Sequence, residues 1–368
     1  MRFLSRPYWV AFALVTLTPI SGAQAQDSGS SPSVSFNPSI SAHGLFWAGA
    51  AWPFADLEVP FAQSEEHAHG GGPFFQTGLG IREIELALSA SVDPVFRAEL
   101  FIAWHGALEP PEIEEFRVAT LSIPQVRLSV GRLRLPAGRH NSLHQHARPF
   151  LNVPLVVRGI YGDEGLSEIA LQVDWLMPLP WYSELSAAVA NGDHERLFGG
   201  GSKAWDVAGF ARWHNEIELG RAGTLDLAPH ALVGRNAVGG TSWAAGAELT
   251  LKLRNPHRQR EQGLAWLNEF HIAYVHDEHG DLLGDMGFTS GLRGQLTRNL
   301  WLGGRGGVLW EGAAAPAGFG VDVIAAWAFS HTSVLQLQYS LEKLDGETSQ
   351  AVQLQLNVSI GSHPAHAY

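Results

Sequence analysis

The chain has 368 residues, 45% of them hydrophobic and 16% charged, with 36 acidic side chains against 24 lysines and arginines and a net charge of −12. That balance argues against general nucleic-acid affinity, and the absence of cysteine excludes thiolate metal sites, thiol catalysis and disulfide staples. Its 13 tryptophans and 18 phenylalanines suit the aromatic girdles of a membrane barrel, although a large soluble β-sandwich could share them.

Residues 1–25 carry Arg2 and Arg6, then an apolar run from Tyr8 to Ile20, then Ala23-Gln24-Ala25. This is the pattern of a cleaved secretory signal peptide with an A-x-A site. The apolar run is shorter than the ~20 residues a spanning helix needs. A Ser- and Gly-rich spacer follows at 26–33, and the barrel is expected to occupy 34–368.

From Val34 onward, sixteen segments have strand length and a side-chain period of two. They lie near 34–50, 77–92, 95–107, 112–122, 125–136, 166–177, 181–191 and 203–217 in the first half. The second half adds 224–236, 240–253, 264–277, 284–297, 299–312, 317–330, 333–344 and 349–361. The last shows the pattern best: Val352, Leu354, Leu356, Val358 and Ile360 share one parity, while Gln353, Gln355, Asn357 and Ser359 occupy the other. A strand turns this spacing into two unlike faces, one suited to lipid and one to water, whereas a helix would scatter it. The predicted fold is all-β, a transmembrane antiparallel up-and-down β-barrel of about 16 strands.

The connections sort into two kinds. Asp93-Pro94, Pro124-Gln125, Pro178-Leu179-Pro180, Arg298-Asn299 and His331-Thr332 are short and turn-like, as periplasmic turns are. The alternate connections 51–76, 137–165, 191–202 and 277–284 are longer and richer in Gly, His and acids, as extracellular loops are. A soluble sandwich has no reason to alternate in this way. The 254–263 connection, with Arg254, His257, Arg258 and Arg260, is long for a turn and leaves the strand count open by one pair.

Between Phe116 and Gly162 there is no Asp or Glu, yet the stretch holds Arg117, Arg127, Arg132, Arg134, Arg139, Arg148 and Arg158 with His140, His144 and His146. It includes the third long loop, expected to fold inward near 137–165. Guanidinium groups stay charged, and low-dielectric walls focus their field, so an inward ring of them attracts anions. The predicted lining is Arg97, Glu99, Glu115, Arg117, Arg127, Arg132, Arg134, Arg139, His140 and Arg148.

The alternative is that these arginines bind lipopolysaccharide phosphates or pair with carboxylates on neighbouring strands. Glu83 and Glu85, Arg97 and Glu99, and Glu115 and Arg117 all fall on polar, lumen-facing parities where cross-strand pairs would brace the wall. The fifth strand is ambiguous, because Val126, Leu128 and Val130 share parity with Arg132 and Arg134. Either a bulge at Gly131 re-aims the arginines inward, or they sit among lipid headgroups.

His67-Ala-His69, beside Glu65 and Glu66, and His144-Gln-His146 are imidazole pairs two apart, with His276 and His279 in a later loop. Such pairs can share a metal where the backbone turns suitably, though no spacing matches a closed structural zinc site. The expectation is transient zinc capture at the pore mouth through His67, His69, His144 and His146, without a resident cofactor. No G-x-S-x-G elbow is present, and catalysis is not expected.

The opening Phe36-Asn37-Pro38-Ser39-Ile40-Ser41 resembles the first strand of a family of porin-like outer-membrane proteins related to the phosphate-selective porins. So do Asn141-Ser142-Leu143-His144-Gln145-His146-Ala147, Val153-Pro154-Leu155-Val156-Val157-Arg158 and Tyr161-Gly162-Asp163-Glu164-Gly165. Val130 to Gly138 is similar to the G-(K/R)-x-x-x-P-x-G segment of the phosphate-selective group, with Arg132 and Ala137 as departures. The resemblance covers most of the mature chain and implies a passive channel in the outer membrane of a Gram-negative bacterium. It further implies contact with outer-membrane lipid and lipopolysaccharide, and delivery to the barrel assembly machinery through the C-terminal strand and Tyr368. It also allows a homotrimer.

Some members of that family are labelled zinc-regulated TonB-dependent receptors. Such a receptor needs a plug domain before a 22-stranded barrel, whereas alternation here begins soon after the signal. The expected function is therefore a porin for small solutes that favours anions; the runner-up is a receptor or channel capturing zinc or another divalent metal, or its chelate, on His-rich loops.

Overall fold

A computed structural model describes residues 38–52, 77–106, 110–198, 207–236, 238–254, 262–276, 282–312 and 316–361. The signal peptide, the spacer, His67, His69, His279 and Tyr368 lie outside the described residues.

Sixteen strands form one closed antiparallel barrel, each paired with its neighbours in sequence and β1 with β16. The first eight are β1 (Ser39–Trp52), β2 (Gly78–Ser91), β3 (Phe96–Trp104), β4 (Glu112–Thr120), β5 (Val126–Arg134), β6 (Ser167–Leu176), β7 (Tyr182–Ala190) and β8 (Ala208–Glu218). The others are β9 (Gly223–Arg235), β10 (Thr241–Arg254), β11 (Gly263–His276), β12 (Leu282–Gln295), β13 (Leu300–Glu311), β14 (Pro316–Ala328), β15 (Ser333–Leu344) and β16 (Glu347–Gly361). The closing seam runs from Ser41 opposite Gly361 to Trp52 opposite Gln350. The long 254–263 connection adds no strand pair, since β10 and β11 are direct partners from Trp243 opposite Tyr274 to Arg254 opposite Gly263.

Burial along the strands is the inverse of a soluble protein's. On β16, Val352 and Leu354 are exposed while Gln353 and Gln355 are buried; on β6, Leu171 and Val173 are exposed while Gln172 and Asp174 are buried. Apolar side chains facing out from a closed wall require a hydrocarbon solvent, and closure leaves no backbone edge unpaired within it. A sixteen-stranded barrel of this kind belongs in the outer membrane of a Gram-negative bacterium.

Two bulges bear on the interior. Opposite the Leu45/Phe46 step the β1 register jumps from Glu83 to Ile81, so Arg82 is extra on β2. Opposite the Phe101/Ile102 step of β3 the register jumps from Glu115 to Ile113, so Glu114 is extra on β4. An extra residue breaks strict alternation and lets two consecutive side chains turn to one face. Glu114 and Glu115 are accordingly both buried.

Candidate functional site

The connection between β5 and β6, residues 135–166, lies across the bore. Its ends are tied by Asn141, whose Nδ2 donates to the carbonyls of Leu135 (2.5 Å) and Leu166 (3.0 Å) and whose Oδ1 accepts from Leu166 N (2.7 Å). Between them it reaches strands all round the wall. Leu151 N donates to Gln338 Oε1 on β15 (2.8 Å), and Arg158 donates to Glu342 Oε2 on the same strand (2.6 Å). Arg305 of β13 donates to Asn152 Oδ1 (2.9 Å), Arg82 of β2 to the Leu151 carbonyl (2.9 Å), and Asn357 of β16 to the His146 carbonyl (3.0 Å). A loop bonded at once to β2, β13, β15 and β16 narrows whatever passage the barrel leaves.

Its helix α1 (Leu155–Tyr161) packs against β11 to β14. Wall glycines make the room: a Cβ at Gly287 would come within 2.5 Å of Val156 Cγ1, and one at Gly318 within 3.3 Å of Leu155 Cδ2. The other flank of the loop is apolar too. Leu133, Val157, Ile160, Tyr161 and Leu166 form a buried cluster with wall alanines such as Ala170, Ala188, Ala208 and Ala273. Small residues on the inner wall admit large ones on the loop, as close packing demands.

Opposite that seat the loop meets charge. His144 is buried with Nδ1 2.8 Å from Glu114 Oε2 and 3.1 Å from Glu85 Oε2, and Nε2 3.3 Å from Glu115 Oε2. Burial alone would lower its pKa, but hydrogen bonds to Glu114, Glu115 and Glu85 and their charge hold it well above the usual imidazole value. His140 goes the other way, pushed well below that value by burial and by the field of Arg148, Arg305 and Arg134. Burial and the neighbouring Arg134 bring Arg148 down to about 10, which still leaves it charged near neutrality.

Below this joint the inner wall carries alternating signs. Arg97 pairs with Glu99 (2.9 Å), Arg117 with Glu115 (2.6 Å), and Arg127 with Asp174 (2.9 Å). Glu99 and Arg117 face each other across the β3–β4 ladder, so these groups form a belt on β3 to β6.

No protein-family model matches the chain. By sequence it is similar to an uncharacterized protein of Aquifex aeolicus (strain VF5), 36% identical over 149 residues, which is 39% of this chain and 30% of that protein. The match thus spans under a third of the relative's length. Among solved structures, Pseudomonas putida OprB superposes with a TM-score of 0.62 at 9% identity, covering 88% of this chain and 94% of that one. The outer membrane channel DcaP of Acinetobacter baumannii gives 0.61 at 11% identity over 90% of this chain and 100% of that one. An anion-selective porin from Comamonas acidovorans gives 0.59 at 10% identity over 88% and 100%. The chain has the porin fold.

Within this porin fold the residues singled out from sequence separate. Arg97, Glu99, Glu115, Arg117 and Arg127 come together on the belt. Arg134 reaches Glu114 (3.1 Å), and Arg139, His140 and Arg148 lie on the loop. Arg132 stands apart: it is exposed, and its ladder partners Phe116 and Ile169 are themselves exposed on the outer face. The fifth strand keeps its register through Gly131, opposite Arg117 and Ala170, so no bulge re-aims Arg132; Arg134, at the end of the strand opposite Ser167, reaches Glu114 instead. His144 and His146 are both inside the joint. Sequence reasoning passed over His43, Arg82, Glu114, Asp174 and Arg305. Only the bulges and the cross-barrel bonds reveal their part, and neither leaves a local signal.

Proposed function

We propose that the protein is an outer-membrane porin for passive diffusion of small solutes, favouring anions along an arginine-lined wall beside the inward loop. One observation carries the preference: in each belt pair the guanidinium is the more accessible partner. Side-chain exposure is 39% for Arg97 against 24% for Glu99, 25% for Arg117 against 8% for Glu115, and 46% for Arg127 against 3% for Asp174. A solute on the inner wall therefore meets positive charge first, although the pairs are nearly balanced in number. The likeness of the segment Val130 to Gly138 to phosphate-selective porins makes small oxyanions the first solutes to try.

Purified protein in a planar bilayer should give stepwise openings, and a salt gradient should give a zero-current potential of the sign that marks anion selectivity. Insertion without conductance would defeat the channel reading. Conductance with a cation-selective potential would defeat only the anion preference.

A further inference from the structure

The joint between loop and wall gathers more imidazoles and carboxylates than conduction requires. His43 of β1 stacks on His146 of the loop with ring centroids 4.0 Å apart and planes 9° from parallel. A ring nitrogen of each and a carboxylate oxygen of Glu85 all lie within 4.8 Å of one another. The same holds for Glu85, Glu114 and His144, and for Glu83, His105 and Glu114, so the three groups share ligands.

Glu83 and Glu85 are 0% exposed; Glu85 Oε2 faces the imidazoles of His144 (3.1 Å) and His146 (3.4 Å), and Glu83 Oε2 lies 3.7 Å from His105. Arg134 faces Glu114 and Arg117 faces Glu115, but among the described residues the ion-pair contacts of Glu83 and Glu85 are to histidines alone. Carboxylates buried against imidazoles alone are short of positive charge, and a bound cation supplies it. One edge already has the spacing, and the ring of His43, stacked parallel on His146, turns about its side-chain bond to aim its nitrogen at the same ion. Ligand atoms ~2.1 Å from a tetrahedral ion stand roughly 3.4 Å apart, and His146 Nδ1 is 3.4 Å from Glu85 Oε2. Outer contacts of the kind that orient metal ligands are also in place. Ser359 Oγ bonds His43 Nδ1 (2.8 Å), and Asn357 holds the His146 carbonyl (3.0 Å).

We propose that His43, Glu85 and His146 form a binding site for a divalent transition ion of the zinc class, which clamps the inward loop to β1 and β2. Two imidazoles with one carboxylate favour such an ion over magnesium or calcium, which take oxygen sets. Three protein ligands leave a coordination position for water or for Glu114. The site is a structural clamp beneath the loop and stands independently of what the barrel conducts.

The test uses the full mature chain, folded in detergent and stripped with a chelator. Cobalt(II) should produce ligand-field absorption in the visible, and zinc should bleach it by displacement. Equilibrium dialysis should find about one tight ion per chain. His43→Gln with His146→Gln, and separately Glu85→Gln, should weaken binding by at least about tenfold, while His331→Gln, on an exposed turn, should not. The shift between heated and unheated gel bands reports whether each variant's barrel has closed. Closed variants that bind as tightly as the parent, or a parent that takes up no ion, would overturn the site whether or not the protein conducts.

Discussion

On β1 to β4 the loop meets charge; on β12 to β14 it meets glycine. At the first contact His144 stands among Glu85, Glu114 and Glu115, and Arg134 faces Glu114. At the second, Val156 and Leu155 rest on Gly287, Gly307, Gly318 and Gly320. The polar joint fixes the loop in one arrangement, because each buried ion needs its particular counter-ion, and it fails badly when one partner is lost. The glycine seat needs no particular chemistry, only the absence of side chains, and it fails when volume is added. Each side can therefore be broken by a different kind of substitution.

The largest effect is expected from His144→Gln. It removes the cation between three buried carboxylates, leaving Glu85 with no arginine or lysine pair among the described residues. Breaking a buried pair in this way costs about 3–5 kcal/mol. The denaturation midpoint in detergent should fall accordingly, and tryptic cleavage after Arg139 should become fast as the loop leaves the wall. A variant with unaltered midpoint and cleavage rate would show that the charged joint does not hold the loop.

Next is Arg305→Gln, beyond the glycine seat, where Arg305 gives Asp322 Oδ2 two hydrogen bonds (2.6 and 2.9 Å) and also holds Asn152. Asp322 keeps Ser340 (2.7 Å) and Gln338 (3.2 Å) on its other oxygen, so the loss should sit near the low end of that range, about 3 kcal/mol. The same unfolding curve measures it, and a loss equal to that of His144→Gln would mean that Ser340 and Gln338 do not soften the break.

Gly287→Ala should cost less, about 1–3 kcal/mol. Its Cβ would stand 2.5 Å from Val156 Cγ1 and 2.9 Å from the Val308 carbonyl, so α1 must move. The single-channel conductance should fall as the helix is pushed off the wall into the bore. Adding Val156→Ala should return both stability and conductance towards the parent values, and strict additivity in that double-mutant cycle would show that the two positions do not touch.

The barrel was legible because its wall obeys one rule. Val352, Leu354 and their partners alternate without interruption along β16, and each of the sixteen predicted segments overlaps an observed strand. The joint was less legible, because it rests on two places where that rule lapses. Strict period two puts Glu83 inside and Arg82 outside, and Glu115 inside and Glu114 outside; the bulges bring Glu114 in beside Glu115 and send Arg82 to the loop carbonyl of Leu151. A bulge depends on the partner strand, which sequence order does not disclose. The counter-ions of the acid-free stretch were hidden for a related reason. Asp174 for Arg127 lies 47 residues along the chain, and Glu342 for Arg158 lies 184. The glycines of β12 to β14 read in sequence only as weak strand formers, although their role is to admit α1.

The smallest effect on stability, and the sharpest on selectivity, is expected from Arg127→Gln. Arg127 is 46% exposed, so solvent already screens its pairing with Asp174, and the loss should stay under about 1 kcal/mol. Asp174 also retains Gln172 (2.6 Å) and Ser186 (2.7 Å) as donors. What changes is the sign of the accessible charge, because the wall at this point would then present a carboxylate with no guanidinium over it. The zero-current potential in a salt gradient should move towards cation selectivity, more than for Arg132→Gln, which alters a side chain on the outer face. Equal shifts for the two variants would mean that exposed guanidinium on the inner wall does not set the preference, and that the field of the whole protein does.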